Sequence, residues 1–295
     1  MPGIPLTWRV DPLLWLFCAG AGGLYLAGVQ RYNSLHPLTR LPWHRPMSFM
    51  TGILVVTVAL GSPVDAYADA LFSVHMVQHL LLTMVAAPLL LLGTPLLLAR
   101  HTGLPRVRRV LAGVVHSRAV RALLFPVVTW GALTAVMWGS HYSALYEAAL
   151  EHPALHVFEH VLYLSAALLF WFPVVALEPS AWRMSHPLRL LYLFAAMPQN
   201  AFLGLSLYQS VRPLYPHYAA LARIQGGSPL ADQQAGGVVM WLLGGLLLVA
   251  ALIGVAVSWS RHDAQMARHV DASLERSDVF RHGRFPASTR EAPRP

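Results

Sequence analysis

The chain has no lysine. Its 21 basic residues are all arginines, set against 13 acids, and charged residues make up only 12% of 295 positions. A soluble domain carries about 25% charge, so this scarcity, beside 56% hydrophobic residues, excludes an ordinary soluble enzyme or binding module. The basic excess does not point to nucleic acid, because most arginines lie in short stretches between apolar runs, where the positive-inside rule puts them. Cysteine is nearly absent too. Cys18 is alone in the first apolar run, so no internal disulfide and no CxxC metal site can form. It reads as a small buried residue. Any metal must therefore be held by histidine, methionine or carboxylate. No HExxH and no serine or cysteine triad is present, which disfavours an enzyme.

What fills the chain instead is apolar sequence. Seven runs cover about 13–30, 48–61, 75–99, 122–139, 153–177, 190–208 and 235–259. They predict an all-α membrane protein, a bundle of seven transmembrane helices occupying residues 1–260. The first run is read as a helix and not a signal peptide, since Arg9 and Asp11 replace a basic cluster and no A-x-A site follows. Pro88, Pro95 and Pro198 are expected to kink or interrupt their helices, as membrane helices tolerate. The stretch 62–72 is expected as a linker, and 261–295 as a flexible arginine-rich tail or a short amphipathic helix.

Alternating sides then fix an orientation. The stretches 31–46, 100–121 and 178–189, with the tail, collect 18 arginines, and the opposite side has only Arg9, Arg212 and Arg223. That split puts the N-terminus outside and the C-terminus in the cytoplasm. The expected location is a bacterial plasma membrane, crossed many times.

The third run carries the most informative polar residues. From His75 to Ala99 it spans 25 residues without a charge, enough for a bilayer core of about 30 Å. His75 and His79 are four apart, on one helical face about a turn from each other. The fifth run opens HPALHVFEH, with His152, His156 and His160 stepping by four and Glu159 beside them. His141 follows the fourth run, Asp232 precedes the seventh, and Met76 and Met197 are thioethers nearby. Ionisable groups inside membrane helices are costly and face the bundle interior for a purpose. The pairs His75/His79 and His156/His160 offer four nitrogens to one ion, or two each to two ions. Imidazole suits copper, zinc, nickel and iron, and thioethers favour Cu(I). Glu159 and Asp232 are expected as further ligands or as groups that orient the rings, with His152, His141, Met76 and Met197 as additional candidates. Ordinary readings stand beside these. A histidine at a membrane interface hydrogen-bonds or is solvated, His152 lies outside the helix ahead of Pro153, Asp232 caps the seventh helix, and the methionines pack.

Three segments together resemble the caa3-type CtaG family, seven-helix bacterial membrane proteins associated with cytochrome c oxidase assembly. They are HMVQHLLLTMVAAPLLLLGTP, HPALHVFEHVLYLSAALLFWFPV and DQQAGGVVMW, in that order, and the resemblance covers about residues 10–260. It implies a role in maturing a haem–copper oxidase, with copper as the ion handled and an oxidase subunit or another copper-handling protein as the partner. His75, His79, His156, His160 and Asp232 carry over as candidate functional positions. The single-span periplasmic copper chaperone that shares the CtaG name has a cysteine motif, which this chain lacks. Three other functions stay open: a haem protein with axial histidines, a copper or other ion transporter, and a metal-free assembly scaffold.

Overall fold

A computed structural model of the chain describes Trp8 and residues 11–175, 182–221 and 227–282. Arg9 and Arg223 of the charge count, the last two residues of the fifth run and the tail beyond 282 lie outside the described residues. Within them the chain is helical, with no strand. In order, the helices are α1 (Pro12–Leu35), α2 (His44–Gly61), α3 (Pro63–Ala68) and α4 (Phe72–Leu80). After a π-helical segment (Leu81–Ala86) come α5 (Ala87–Leu92), α6 (Pro95–Thr102), α7 (Pro105–His116), α8 (Arg118–Leu123), α9 (Pro126–His141) and α10 (Ala144–Glu151). The second half has α11 (Pro153–Val175), α12 (His186–Tyr208), α13 (Pro216–Ala220), α14 (Pro229–Val238), a second π segment (Val239–Leu243) and α15 (Gly244–His282).

Among the described residues, five helical stretches are long and apolar enough to cross a membrane: Pro12–Leu35, Phe72–Thr102, Pro153–Val175, His186–Tyr208 and Pro229–Asp271. The protein is therefore a helical membrane protein. The second and fourth apolar runs are weaker. α2 opens on His44-Arg45-Pro46, and α9 has 16 residues, about 24 Å at 1.5 Å per residue.

Several local expectations need correction. Pro95 does more than kink its helix: the chain breaks, because a residue before proline is pushed out of the helical region. Thr94 adopts φ 54°, the left-handed region, and its buried hydroxyl has no hydrogen-bond partner. A β-branched residue there costs about 1–2 kcal/mol. Thr94→Gly is expected to raise stability by about 1 kcal/mol net of the entropy glycine adds to the unfolded chain, read as a higher unfolding midpoint in detergent. A lower midpoint would show that side-chain packing outweighs the strain. Pro198, in contrast, does not interrupt α12. The stretch 62–72 holds α3, capped by Ser62, and the basic stretch 100–121 is largely helical in α6, α7 and α8. Beyond 260, α15 continues unbroken to His282.

The two π segments follow the polar ends of the third and seventh runs. A π turn lengthens the hydrogen-bond spacing and leaves backbone carbonyls available to neighbours. Trp171 Nε1 of α11 donates to the Thr83 carbonyl at 2.8 Å, and Asn200 Nδ2 of α12 donates to the Met240 carbonyl at 2.9 Å. Each π segment is thus pinned from a neighbouring helix. On α14, glycines permit close approach. A Cβ on Gly237 would lie 2.6 Å from the Gly204 carbonyl oxygen, and one on Gly236 would lie 2.4 Å from the Phe72 ring. Small residues let membrane helices touch backbone to backbone. So α14 is pressed between α4 and α12, while α11 packs on α9, α5 and the first π segment. The third, fifth and seventh runs adjoin.

Candidate metal centre

α4 has no cap of its own, since Leu71 at its N-cap offers no side-chain acceptor. The cap comes from α14. Asp232 accepts hydrogen bonds from the backbone N–H of Phe72 at 2.6 Å and of Ser73 at 3.3 Å, and from the Ser73 hydroxyl. A carboxylate at a helix N-terminus satisfies orphan donors and opposes the helix dipole. α14 is itself capped by Ser228. Asp232 therefore fixes the start of the helix that presents His75 one turn later. It caps α4 and not its own helix.

His75 and His79 are both buried, with Nε2 atoms 2.9 Å apart. The hydrogen positions follow from the partners. Tyr218 donates its hydroxyl to the Ala68 carbonyl at 2.9 Å and lies 3.1 Å from His75 Nδ1. Burial, together with Glu159, Asp69 and Asp232 nearby, holds the Tyr218 phenol well above the usual tyrosine range. It stays a neutral O–H whose one hydrogen is spent on Ala68, so His75 Nδ1 must donate to it. His75 Nε2 is then a bare lone pair, which accepts from His79 Nε2–H. His79 Nδ1, the remaining acceptor, is buried without a partner among the described residues.

Gln78, between the two histidines, treats α11 in the same way. Its amide nitrogen donates to the Ala59 carbonyl and to Asp65 Oδ1, both at 2.9 Å. The amide oxygen must then be the atom 3.3 Å from His160 Nε2, so that nitrogen carries a hydrogen and Nδ1 is bare. Partners that set the tautomer of a histidine decide which nitrogen can meet an ion.

The rings of α11 face those of α4. His156 lies 5.5 Å from His75 and 4.4 Å from His160, and His160 lies 6.2 Å from His79, between ring centroids. His156 sits at the rim, with Nδ1 4.0 Å from Asp69 Oδ1. Glu159 lies deeper. Its side chain and that of His75 are fully buried, with Oε2 3.8 Å from His75 Nε2. Neither carboxylate oxygen of Glu159 has a hydrogen-bond partner among the described residues. One donor atom each from His75, His156 and Glu159 lies within 4.8 Å of the others. Ligands on a tetrahedral ion with bonds of about 2.0–2.1 Å stand about 3.4 Å apart, so small side-chain rotations bring these three onto one ion.

The other expected residues divide. His141, at the end of α9, is buried 6.4 Å from the His79 ring and 3.4 Å from the Met76 sulfur. Met76 is fully buried beside it. His152 is exposed at the C-cap of α10 and lends its carbonyl to start α11. Met197 is half-buried on α12 and packs on the main core. Tyr163, on the face of His156 and His160, is expected from the sequence to bond across the bundle. It reaches Ser140 of α9 at 2.5 Å and stacks its ring on His79 at 4.0 Å, whereas Gln78 and Tyr218 were not singled out in the sequence. Gln78 had a usable signal, as a polar residue inside an apolar run three positions from His75. Tyr218, 143 residues from His75 along the chain, had none.

Fold and pocket together define a helical membrane protein with a buried histidine–carboxylate cluster at the ends of its helices. The polar ends of the third, fifth and seventh runs, which carried the likeness noted in the sequence, meet at this one place. The chain belongs to the cytochrome c oxidase caa3 assembly factor family (Caa3_CtaG), whose model matches residues 23–262. It is 29% identical over 286 residues to the uncharacterized proteins Mb0105 of Mycobacterium bovis and MT0111 of Mycobacterium tuberculosis, covering 90% of this chain and 42% of theirs. The uncharacterized protein ML1998 of Mycobacterium leprae is 26% identical over 288 residues, covering 92% of this chain and 43% of its own length. The chain thus spans less than half the length of these relatives. No solved structure matches it.

Proposed function

We propose that this chain is a seven-helix plasma-membrane protein, N-terminus outside and C-terminus cytoplasmic, that holds copper in the outward-facing pocket of His75, His79, His156, His160 and Glu159. It passes the ion to, or guards it for, a subunit of a maturing cytochrome c oxidase or another copper-handling protein. The observation that carries this reading is Glu159. A buried carboxylate without hydrogen bonds is among the most costly groups a fold can contain, and here it stands amid imidazoles with lone pairs to spare. A cation satisfies both. Copper, and not zinc, is chosen because the family is one of oxidase assembly factors and thioether donors adjoin the imidazoles.

Delivery of an ion needs ligand exchange and no nucleophile or general base, so the role is non-enzymatic. The chain's own residues serve it simply. Tyr218 and Gln78 hold His75 and His160 in fixed tautomers, and Asp232 holds the start of α4. His156, half-buried beside Asp69, stands where an ion enters or leaves.

Elemental analysis of detergent-purified protein tests this, wild type beside a His75→Ala/His156→Ala variant. Copper in the wild type is expected, with one equivalent lost in a folded variant whose outer pocket binds at least about tenfold more weakly. Metal-free wild type that also takes up no added Cu(I) would overturn the reading in favour of a scaffold. A Soret band would overturn it in favour of haem.

A further inference from the structure

Met76 and His141 come from helices 65 residues apart in the chain, yet they face each other in the interior. The proton on His141 is decided by its surroundings. Nδ1 lies 2.7 Å from the Met137 carbonyl oxygen, which can only accept. The two hydroxyls near it, Tyr163 at 3.2 Å and Ser140 at 3.3 Å, spend their hydrogens elsewhere, Ser140 on the Met137 carbonyl and Tyr163 on Ser140. Nδ1 therefore carries the hydrogen and Nε2 is a bare lone pair. The Met76 sulfur, 3.4 Å from that nitrogen, is also only an acceptor. Two electron-pair donors therefore confront each other with no hydrogen between them, both buried.

The pair is held firmly. A Cβ on Gly236 of α14 would come within 3.2 Å of Met76 Cγ and 2.4 Å of the Phe72 ring, so α14 backs this part of α4 directly. On the other side the Tyr146 ring stacks on His141 at 5.6 Å between centroids. Methionine usually fills space in a core by being adaptable. This one is confined, and its sulfur is aimed at a nitrogen.

We propose that His141 Nε2 and Met76 Sδ form a second, inner site for a soft monovalent cation, Cu(I) or its analogue Ag(I), separate from the outer site of His75, His156 and Glu159. The proposal deepens the copper reading and rests on it. Neutral imidazole and thioether favour a soft ion of low charge, while the imidazoles and carboxylate of the outer site accept copper in either oxidation state. Bonds of about 2.0 Å to nitrogen and 2.3 Å to sulfur span the observed 3.4 Å at a bent angle, which leaves one side open for a third ligand. His79 stands between the two sites, its ring 4.4 Å from His75 and 6.4 Å from His141. Its Nε2–H is spent on His75 Nε2, and its bare, buried Nδ1, without a partner among the described residues, is the one nitrogen it can offer to an ion passing between the two sites.

The test is X-ray absorption at the copper edge on the full chain in detergent, loaded anaerobically with Cu(I), wild type beside Met76→Leu and His141→Gln. In the wild type a sulfur neighbour is expected in addition to nitrogen. In either folded variant the sulfur contribution should vanish and bound Cu(I) should fall from two equivalents to one. Methyl NMR of methionine-labelled wild type titrated with Ag(I) reads the same contact without depending on a variant, and the Met76 methyl resonance should shift. Copper bound with nitrogen and oxygen neighbours alone, together with an unmoved methionine spectrum, would overturn the inner site and leave the outer one standing. Protein that binds no copper at all would overturn both.

Discussion

Glu159→Gln is expected to make the metal-free protein more stable by about 2 kcal/mol while weakening copper binding at least ~100-fold. Both effects come from one structural fact: a fully buried carboxylate whose oxygens meet no hydrogen-bond donor. Glutamine keeps the shape and removes the ionisable group, and an unpaired buried carboxyl costs several kcal/mol whether it stays charged or must take up a proton on burial. Part of that returns as a cost, because the new amide is also short of partners. In the wild type, copper at about 100 times its dissociation constant adds about 2.7 kcal/mol of stability, and a 100-fold weaker site at the same concentration adds only about 0.4 kcal/mol. Thermal unfolding with and without copper would show the two curves crossing. Without metal, the variant melts higher; with copper, the wild type does. A variant that is less stable without metal and keeps its full copper response would mean that Glu159 supports the fold and is not a ligand. Stability given up at one position for binding is the trade expected of a functional site.

The histidine pairs were legible because a membrane run is a quiet background. Two histidines four apart with no charge for 25 residues stand out, and helical periodicity alone puts them on one face. The same reasoning applied to Gln78 would have found it, since it also breaks the apolar run and is buried. His141 was harder. Its spacing pairs with nothing, and it joins the cluster only because α9 packs along α11. What sequence cannot convey is contact between distant elements, and Tyr218 is the plain case. Helix ends were misplaced for a different reason. Polarity marks where a membrane stops, but a helix stops at a breaker. Between Gly254 and Gly283 there is neither glycine nor proline, so α15 continues well past the end of the last apolar run. The reverse holds at Thr94-Pro95, where an apolar run continues and the helix does not.

Asp232→Ala is expected to lower stability by about 2–3 kcal/mol and to weaken copper binding, although Asp232 touches none of the histidine rings. Losing an N-cap costs about 1 kcal/mol and up to about 2. Here the cap also spans two helices, so the Phe72 and Ser73 N–H groups would lose their acceptor at a place where α14 shields them. His75 is the first residue whose own N–H enters the ladder of this turn, bonding the Leu71 carbonyl at 3.1 Å. Fraying of the turn therefore loosens the His75 ring and its bond to Tyr218. Asp232→Asn separates the capping role from the charge. An asparagine oxygen still accepts from one backbone N–H, so most of the stability and nearly all of the copper affinity should return. Were Asp232 a ligand, asparagine would rescue stability and leave copper binding as weak as in the alanine variant. Chemical unfolding and copper titration of the three proteins distinguish these cases. The neighbouring residues of the same segment already favour the capping role. Gln233 accepts from the Leu214 N–H at 2.6 Å and donates to the Leu207 carbonyl at 3.3 Å, and Gly236 and Gly237 admit Phe72 and the α12 backbone. The DQQAGG stretch is thus the clamp that holds the third run's helix start against the bundle, and His75 and His79 of the proposed site lie on the helix it clamps.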